Sequence, residues 1–207
     1  MSGAARQALV EAYRTLGRTG LIHGSSGNVS VRTESGMLIS PTGTTPERIG
    51  PQDAVAMGFE RPEPGASSEW ALHAAIYRVR PELGAIVHTH ADACTALACL
   101  GEGLPAFHYM LAGFGGDDVR CAPYATFGTE ALARLTAAAM QDRTACLLAN
   151  HGMVTAAADL AGAVAAAETL ERLCRQYLLA RSAGAPRLLS AAEMQAARER
   201  FSTYGRR

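Results

Sequence analysis

Three histidines are the residues of this sequence best suited to hold a metal ion. His88 and His90 end the apolar run of residues 85–90, and His151 follows a second apolar run, residues 145–149. Side chains alternate along a strand, so His88 and His90 leave one face about 7 Å apart at the backbone. Three imidazoles with one open position form a catalytic zinc site. His88 or His151 alone is better explained as a hydrogen-bonded residue at a strand end, whereas for the His-x-His pair the two interpretations are equal.

Two loops rich in glycine and hydroxyl residues are candidates for anion binding. Residues 23–31 include Gly27 and Asn28, and residues 40–45 include Thr42 and Gly43. Glycine lets backbone N–H groups come close to an anion, and Asn28 adds a neutral donor. The first loop alone is more often a simple turn. Two such loops at neighbouring hairpin ends favour one oxyanion or phosphate pocket.

A third anion-binding element is the start of a predicted helix. Residues 70–77 have helical apolar spacing, so we expect Ser67 or Ser68 to be the N-cap and Glu69 to lie in the first turn. The N–H groups and partial positive charge of a helix N-terminus suit a phosphate dianion. Simple capping, and dipole stabilisation by Glu69, are the alternatives that the local sequence alone favours. His73 is a further ligand candidate but is better explained as a partly buried helix residue.

The composition restricts the chemistry. All 19 basic residues are arginine, and 19 acidic residues balance them to a formal net charge of zero. Because lysine is absent, no Schiff base and no P-loop lysine can form, so carbon chemistry would need a metal ion. The absence of any block of like charge argues against a nucleic-acid partner or a membrane-surface partner.

Cysteine usage and length predict a cytoplasmic chain with one domain over residues 1–207. The five cysteines are an odd number without C-x-x-C spacing, so we expect reduced core residues. The amphipathic N-terminal segment predicts no signal peptide, and no apolar run reaches about 18 residues, so no membrane association is expected. A chain of 207 residues can bury a core without disulfides.

The elements that must position these residues alternate between helices and strands. A β-hairpin over residues 28–39 and several tight turns predict antiparallel pairing. We therefore expect an α/β fold with three layers, α/β/α, around a central mixed, largely antiparallel sheet. Helix caps are predicted at Thr129 and Asp159, and a capping box at Ser190 and Glu193.

Five motifs together resemble the class II aldolase/epimerase family, in the same order and spacing. They are Gly27-Asn28-Val29-Ser30, Ser40-Pro41-Thr42-Gly43, Ser67-Ser68-Glu69, His88-Thr89-His90 and Asn150-His151-Gly152. Each motif alone is weak, but five in register are specific. Residues 108–110, 121–129 and 201–205 are similar to the aldolases of this family, and the resemblance covers the chain from end to end.

The resemblance implies a site. It implies that His88, His90 and His151 hold one Zn²⁺ per subunit with Glu69 as the fourth ligand, Co²⁺ and Mn²⁺ being alternatives. The residues implied to bind the substrate phosphate are Gly27, Asn28, Thr42, Gly43, Ser67 and Ser68. Tyr109 would come from a neighbouring subunit of a homotetramer with sites at its interfaces. The residues implied at the aldehyde end are Phe127, Phe201 and Tyr204.

The implied reaction is reversible cleavage of a ketose 1-phosphate to dihydroxyacetone phosphate and an aldehyde through a Zn²⁺-stabilised ene-diolate. The substrate would be L-fuculose 1-phosphate or a related 5-deoxy or methylthio pentulose 1-phosphate. Glu69 would move the C3 proton and Tyr109 would donate to the aldehyde oxygen. His23, Asn150 and the pair Asp117-Asp118 depart from the family pattern, which leaves the aldehyde half open.

Three other functions stay open. A pentulose 5-phosphate 4-epimerase would use Asp117 or Asp118 as an extra acid. A methylthioribulose-1-phosphate dehydratase would use the same metal. A non-catalytic interaction module resembling the adducin head domain would lack metal ligands, whereas all three histidines and Glu69 are present here.

Overall fold

The computed structural model describes residues 3–203 and arranges them around one seven-stranded sheet. The helices are α1 Gly3–Arg18, α2 Trp70–Val79, α3 Asp92–Cys99, α4 Glu130–Ala139, α5 Leu160–Ala183 and α6 Ala191–Thr203. The strands are β1 Asn28–Thr33, β2 Gly36–Ile39, β3 Val55–Met57, β4 Ala85–Thr89, β5 Arg120–Ala122, β6 Ala145–Leu148 and β7 Gly152–Ala157. A 3₁₀ helix spans Tyr109–Phe114.

The sheet confirms the predicted mixed, largely antiparallel architecture. Its strand order is β3-β2-β1-β4-β7-β6-β5, and only β5 and β6 run parallel. The predicted hairpin over residues 28–39 forms β1 and β2, with Thr33 paired to Gly36. Strand β4 lies at the centre, where Asn28 of β1 and Val154 of β7 both pair with His88.

Each face of the sheet carries its own core, which gives the predicted three layers. Val87 packs with residues of α1, α3 and α5 on one face. Ile86 packs with residues of α2 and α4 on the other face. Because side chains alternate along β4, His88 shares the face of Ile86 and points toward α2.

Three of the predicted helix starts are confirmed by their capping bonds. The Thr129 hydroxyl accepts from Leu132 N, and the Asp159 carboxylate accepts from Gly162 N. Ser190 and Glu193 form the reciprocal capping box, with Oε2 of Glu193 2.7 Å from Ser190 N. Short polar side chains before an apolar helical pattern therefore marked these starts correctly.

The predicted cap of α2 is wrong. Glu69 occupies the N-cap position and makes no side-chain capping bond, because residues 67–70 form a turn in which Trp70 N donates to Ser67 O at 3.1 Å. The Ser67 hydroxyl accepts from Glu69 N at 3.3 Å instead. Glu69 therefore precedes the first turn of α2, and its carboxylate is left for other partners.

The cysteines are unpaired as predicted, but only three of the five are buried core residues, and Cys121 is half-buried. All five cysteines are unpaired, and Cys94, Cys146 and Cys174 are buried. Cys99 is exposed, because it is the last residue of α3 and falls outside the buried stripe of that helix. Across residues 3–203, no helix is both long enough and apolar enough to cross a membrane.

Candidate metal centre

Four side chains from three separate segments converge at one end of the central strands. His88 is on β4, His90 follows that strand, His151 lies in the turn between β6 and β7, and Glu69 precedes α2. One ligand atom from each of the four lies within 4.8 Å of the others. The structure thus brings together every predicted metal ligand.

The distances between these atoms fit one small divalent cation. Nε2 of His88 lies 2.8 Å from Oε2 of Glu69 and 3.1 Å from Nε2 of His90, and Nε2 of His151 lies 3.4 Å from Oε1 of Glu69. A tetrahedral ion with ligands at about 2.0–2.1 Å requires ligand separations of about 3.3 Å. Oε1 of Glu69 is buried and accepts no hydrogen bond from the described residues. A cation would satisfy that orphaned oxygen, so the donor set fits the expected metal.

The backbone fixes the orientation of the central histidine. Nδ1 of His88 lies 2.9 Å from the carbonyl oxygen of Met153 on β7 and donates to it. Its Nε2 therefore faces the other ligands. The three imidazole rings stand edge to face, with centroids 4.9 to 5.0 Å apart. A carbonyl that accepts from the far ring nitrogen is common behind metal-binding imidazoles.

The turn that carries His151 depends on the residues at either side of it. Asn150 has a left-handed backbone with φ of 55°, and its N–H donates to Ala98 O at 3.1 Å. A Cβ on Gly152 would lie 2.4 Å from the carbonyl oxygen of Thr89. Glycine is therefore required for β7 to pair closely with β4 and for His151 to reach the other ligands.

The protonation of the four groups is strongly coupled. Burial opposes the charge of Glu69, yet attraction to His88 holds the pKa of the Glu69 carboxyl well below its usual value. Burial also opposes a charged His88, but Glu69 and the Met153 carbonyl raise the pKa of that imidazole. Burial and the His88 charge lower the pKa of His90 and of His151 to about 4. These two imidazoles are neutral at physiological pH, which is the form that binds metal ions.

A pocket of about 360 Å³ opens beside this cluster. The residues that line it are Ser25, Ser26, Gly27, Asn28, Pro41, Thr42, Gly43, Ser67, Ser68, Glu69, His90, Tyr124, Ala125, Phe127, Asn150 and His151. Residues of both predicted glycine and hydroxyl loops therefore line the pocket. The serines before α2 line it too, as does Phe127, which is 66 % exposed to solvent. None of these lining residues, all within the described part of the chain, is an arginine. Neutral donors surround the space beside the candidate metal ligands.

One glycine of the first loop is required by close packing. Gly27 has φ of +89°, and a Cβ there would lie 2.8 Å from the carbonyl oxygen of His88. The loop therefore approaches the strand that carries two of the metal-ligand candidates. Any other residue would push the loop away from it.

Two predicted residues, Tyr109 and Phe201, are not among the residues that line this chain's own pocket. Tyr109, 53 % exposed, lies on the 3₁₀ helix, which packs against α6. Its ring stacks on Phe201 at 6.0 Å between centroids, so Phe201 lies with it rather than among the lining residues. Tyr204 lies outside the described residues.

The residues that depart from the family pattern fall in different places. Asp117 forms an ion pair with Arg198, and Asp118 pairs with Arg143 at 2.7 Å, in a hollow separate from the pocket. Their carboxylates are thus neutralised and do not supply an extra acid to this chain's pocket. His23 is exposed and is not among the lining residues, whereas Asn150 is.

Sequence reasoning missed several contributors to the site. Ser25, Ser26 and Tyr124 line the pocket, and each lies inside one of the sequence segments described above. His73 is fully buried rather than partly buried, and it contacts Ser30 and Asn28 instead of the metal-ligand cluster. The spacing of Glu69, His73 and Tyr77 by four residues was a usable signal, since it puts them on one helix face.

Known proteins resemble the chain over nearly its whole length. The family model described as Class II Aldolase and Adducin N-terminal domain matches residues 7–178. A 5-methylthioribulose-1-phosphate/5-deoxyribulose-1-phosphate aldolase of Rhodospirillum rubrum is 45% identical, over 98% of this chain and 93% of its own. An L-fuculose phosphate aldolase of Escherichia coli K12 is 42% identical, over 98% of this chain and 96% of its own. A solved L-fuculose 1-phosphate aldolase superposes with a TM-score of 0.93 at 39% identity, and the match covers 98% of both chains.

Proposed function

The chain belongs to the class II aldolase and adducin N-terminal domain family, and on that premise we propose that it is a metal-dependent ketose 1-phosphate aldolase. The reaction is reversible cleavage to dihydroxyacetone phosphate and an aldehyde. The substrate is L-fuculose 1-phosphate or a 5-deoxy or methylthio pentulose 1-phosphate, which are the substrate types named for the relatives.

The observation that carries this proposal is the position of the metal-ligand cluster beside a pocket that is rich in hydroxyl groups and has no arginine among its lining residues. Glu69, His90 and His151 belong both to the cluster and to the pocket lining. A ligand in the pocket would therefore lie next to the cation. A family member serving only as an interaction module would have no need for four converging donors.

Zinc is the proposed ion. Three imidazole nitrogens and one carboxylate are the borderline donors that Zn²⁺ accepts at four-coordinate sites. When bound, the cation supplies a Lewis acid that stabilises the negative charge developing on substrate oxygens as the C3–C4 bond breaks. With no lysine in the chain, no amine can take that role.

The substrate phosphate is proposed to bind among neutral donors. Gly27, Asn28, Thr42 and Gly43 line one part of the pocket, and Ser67 and Ser68 line another. Glu69 makes no side-chain cap, and the partial positive charge of the α2 N-terminus favours an anion beside it. Hydroxyl and backbone N–H donors hold a phosphate by hydrogen bonds and helix polarity.

Glu69 is proposed to move the proton at C3. Its carboxylate borders the pocket, and its buried Oε1 has no hydrogen-bond donor among the described residues. With the cation held by the three imidazoles, the Glu69 carboxylate would be available as a general base toward C3. Cleavage runs the same transfer in reverse, with Glu69 returning the proton to C3.

Tyr109 is proposed to donate to the aldehyde oxygen in the site of a neighbouring copy of the chain. An exposed phenol that lies outside its own chain's pocket is available to a second copy. Phe201 would accompany it because the two rings stack, while Phe127 borders the aldehyde end from within the pocket. Tyr204 is proposed to join them. The assembly that completes the site is a homotetramer, in the cytoplasm.

The proposal is tested with purified protein and a panel of ketose 1-phosphates. L-Fuculose 1-phosphate, 5-deoxyribulose 1-phosphate and methylthioribulose 1-phosphate are incubated with the protein and Zn²⁺, and both products are quantified. We expect dihydroxyacetone phosphate and one aldehyde in equal amounts. Formation of a diketone would identify a dehydratase, and conversion of a pentulose 5-phosphate, incubated in parallel, to its 4-epimer would identify an epimerase. No turnover of any of these would contradict an enzyme of this class.

A further inference from the structure

Five polar side chains form a buried ladder between strand β1 and helix α2. Asn28 and Ser30 are two residues apart on β1, and Glu69, His73 and Tyr77 recur every four residues along α2 and its N-cap. Two residues of a strand advance about 6.6 Å, and four residues of a helix about 6 Å. The two spacings nearly match, so strand and helix side chains alternate along the ladder.

Each step of the ladder is within hydrogen-bonding range. Nδ2 of Asn28 lies 3.4 Å from Oε2 of Glu69, and Oδ1 of Asn28 lies 2.5 Å from Nε2 of His73. Nδ1 of His73 lies 2.7 Å from the Ser30 hydroxyl, which lies 2.9 Å from the Tyr77 hydroxyl. Asn28 is 4 % exposed, Tyr77 1 %, and Ser30 and His73 0 %, so water does not compete for these bonds.

The donor and acceptor capacities of the groups determine which atom donates in each of these hydrogen bonds. An ionised Glu69 can only accept, so the Asn28 amide donates to it and turns its oxygen toward His73. That oxygen can only accept, so His73 carries its proton on Nε2. The bare Nδ1 must then accept from Ser30, and the Ser30 oxygen accepts from the Tyr77 hydroxyl.

Burial of His73 and Tyr77 favours the same protonation states. Burial lowers the pKa of His73 to about 3, so its imidazole stays neutral. Burial likewise raises the pKa of Tyr77, which keeps the phenol protonated as a donor. Arg32, the next residue on this face of β1, stacks over the Tyr77 ring at 4.5 Å and closes the outer end of the ladder.

We propose that Tyr77, Ser30, His73 and Asn28 form a positioning chain that holds the Glu69 carboxylate in its working orientation. Glu69 needs such support, because its carboxylate must keep one orientation both beside the cation and when it faces C3 of the substrate. Within this chain of residues, Asn28 contacts the Glu69 carboxylate directly, and the three residues behind it fix the Asn28 amide. The Glu69 role at C3 rests on the proposed function, whereas its orientation does not.

The test compares variants that break the chain with variants that preserve it. His73→Leu and Ser30→Ala interrupt the chain, Tyr77→Phe removes its outer end, and His73→Gln keeps a donor for Asn28. Thr136→Val and Tyr177→Phe are the matched controls, since each alters a buried residue outside the ladder. The first readout is exchange of the C3 hydrogen of dihydroxyacetone phosphate in D₂O, a partial reaction that isolates the Glu69 step. The second is the visible absorption of Co²⁺ bound to each protein.

We expect the exchange rate to fall about 10- to 100-fold in His73→Leu and Ser30→Ala, with the KM for dihydroxyacetone phosphate nearly unchanged. Tyr77→Phe should lose less, His73→Gln should recover most of the rate, and both controls should match the parent protein. An unchanged rate in His73→Leu would overturn the proposal. Equal losses in His73→Leu and His73→Gln would also overturn it, because packing rather than hydrogen bonding would then be responsible.

The Co²⁺ spectrum decides the question even if the parent protein does not act on dihydroxyacetone phosphate. In that case the proposed function fails, but the orientation of Glu69 is still reported by the ligand field of the ion. A spectrum altered in His73→Leu and restored in His73→Gln supports the positioning chain. Identical spectra in the parent and in His73→Leu would overturn it.

Discussion

The carbonyl oxygen of Met153 lies 2.9 Å from Nδ1 of His88, so strand β7 determines which nitrogen of this histidine faces Glu69. The bond follows from the sheet register, in which His88 pairs with Val154. Pairing of β4 with β7 therefore builds the core and orients a metal-ligand candidate at the same time. A carbonyl that accepts from one ring nitrogen also raises the basicity of the other nitrogen.

Replacing the proposed base should stop turnover without removing the metal. For Glu69→Gln we expect kcat to fall about 10²- to 10⁴-fold, because the amide cannot move a proton. Bound zinc, measured by elemental analysis, should remain close to the parent value, since three imidazoles still hold it. Glu60→Gln, at an exposed carboxylate paired with Arg78, is the control. Full activity in Glu69→Gln would remove Glu69 from the mechanism.

Removing a hydroxyl from the phosphate subsite should weaken substrate binding selectively. We expect Ser68→Ala to raise the KM for the ketose 1-phosphate about 10-fold, because a hydrogen bond to a charged group is lost. The inhibition constant of inorganic phosphate should rise in parallel, with kcat nearly unchanged. Ser182→Ala on α5, whose hydroxyl bonds only to Leu179 O among the described contacts, serves as the control. An unaltered KM would exclude Ser68 from the subsite.

A methyl group at Gly27 should destabilise the fold more than the same change at Gly24. Both glycines have left-handed backbones, which costs an alanine about 1–2 kcal/mol. Only Gly27 would also place its Cβ 2.8 Å from the His88 carbonyl, while nothing lies within 4 Å at Gly24. Urea denaturation of Gly27→Ala and Gly24→Ala measures the difference. Equal losses of unfolding free energy would show that the close approach is unimportant.

Acid should destabilise the metal-free protein partly through His73. Burial, together with the His88 charge, lowers the pKa of His73 to about 3, against about 6.5 in an unfolded chain. The unfolded state therefore takes up the proton first, so this stabilising contribution is complete above pH 6.5 and is lost as the pH falls toward 3.

The variant His73→Gln should therefore show a shallower fall in unfolding free energy between pH 6.5 and 4. The slope should decrease by up to about 1.4 kcal/mol per pH unit, the limit for one proton. A fall will remain, because the lowered pKa values of His90 and His151 act in the same direction. Urea titrations at several pH values measure both proteins. Identical slopes would mean that His73 takes up its proton equally well in the folded state.

Much of the fold was readable from local signals. The hairpin over residues 28–39, the caps at Thr129 and Asp159 and the His-x-His strand all depend on neighbouring residues, which sequence displays directly. Strand β7 was not predicted, because Gly152–Ala157 lacks alternating polarity, being buried at five of its six positions. A strand buried on both faces of a sheet lacks the alternation of polar and apolar residues by which a strand is recognised in a sequence.

The candidate site was likewise only partly predictable from the sequence. His88, His90, His151 and Glu69 were identified by residue type and resemblance, and their convergence required the tertiary structure. The α2 cap was mispredicted because a turn of residues 67–70, rather than a serine side chain, begins the helix. The ladder of Ser30, His73 and Tyr77 was missed because it joins two elements more than 40 residues apart in sequence.

The most direct test of the central claim measures bound metal and carbon–carbon cleavage on the same sample. The purified protein is assayed for dihydroxyacetone phosphate release before dialysis against a chelator, after it, and after Zn²⁺ is returned. We predict one divalent ion per chain, with cleavage that disappears as the ion is removed and returns with it. Cleavage that continues at the original rate in the ion-free protein would contradict the account.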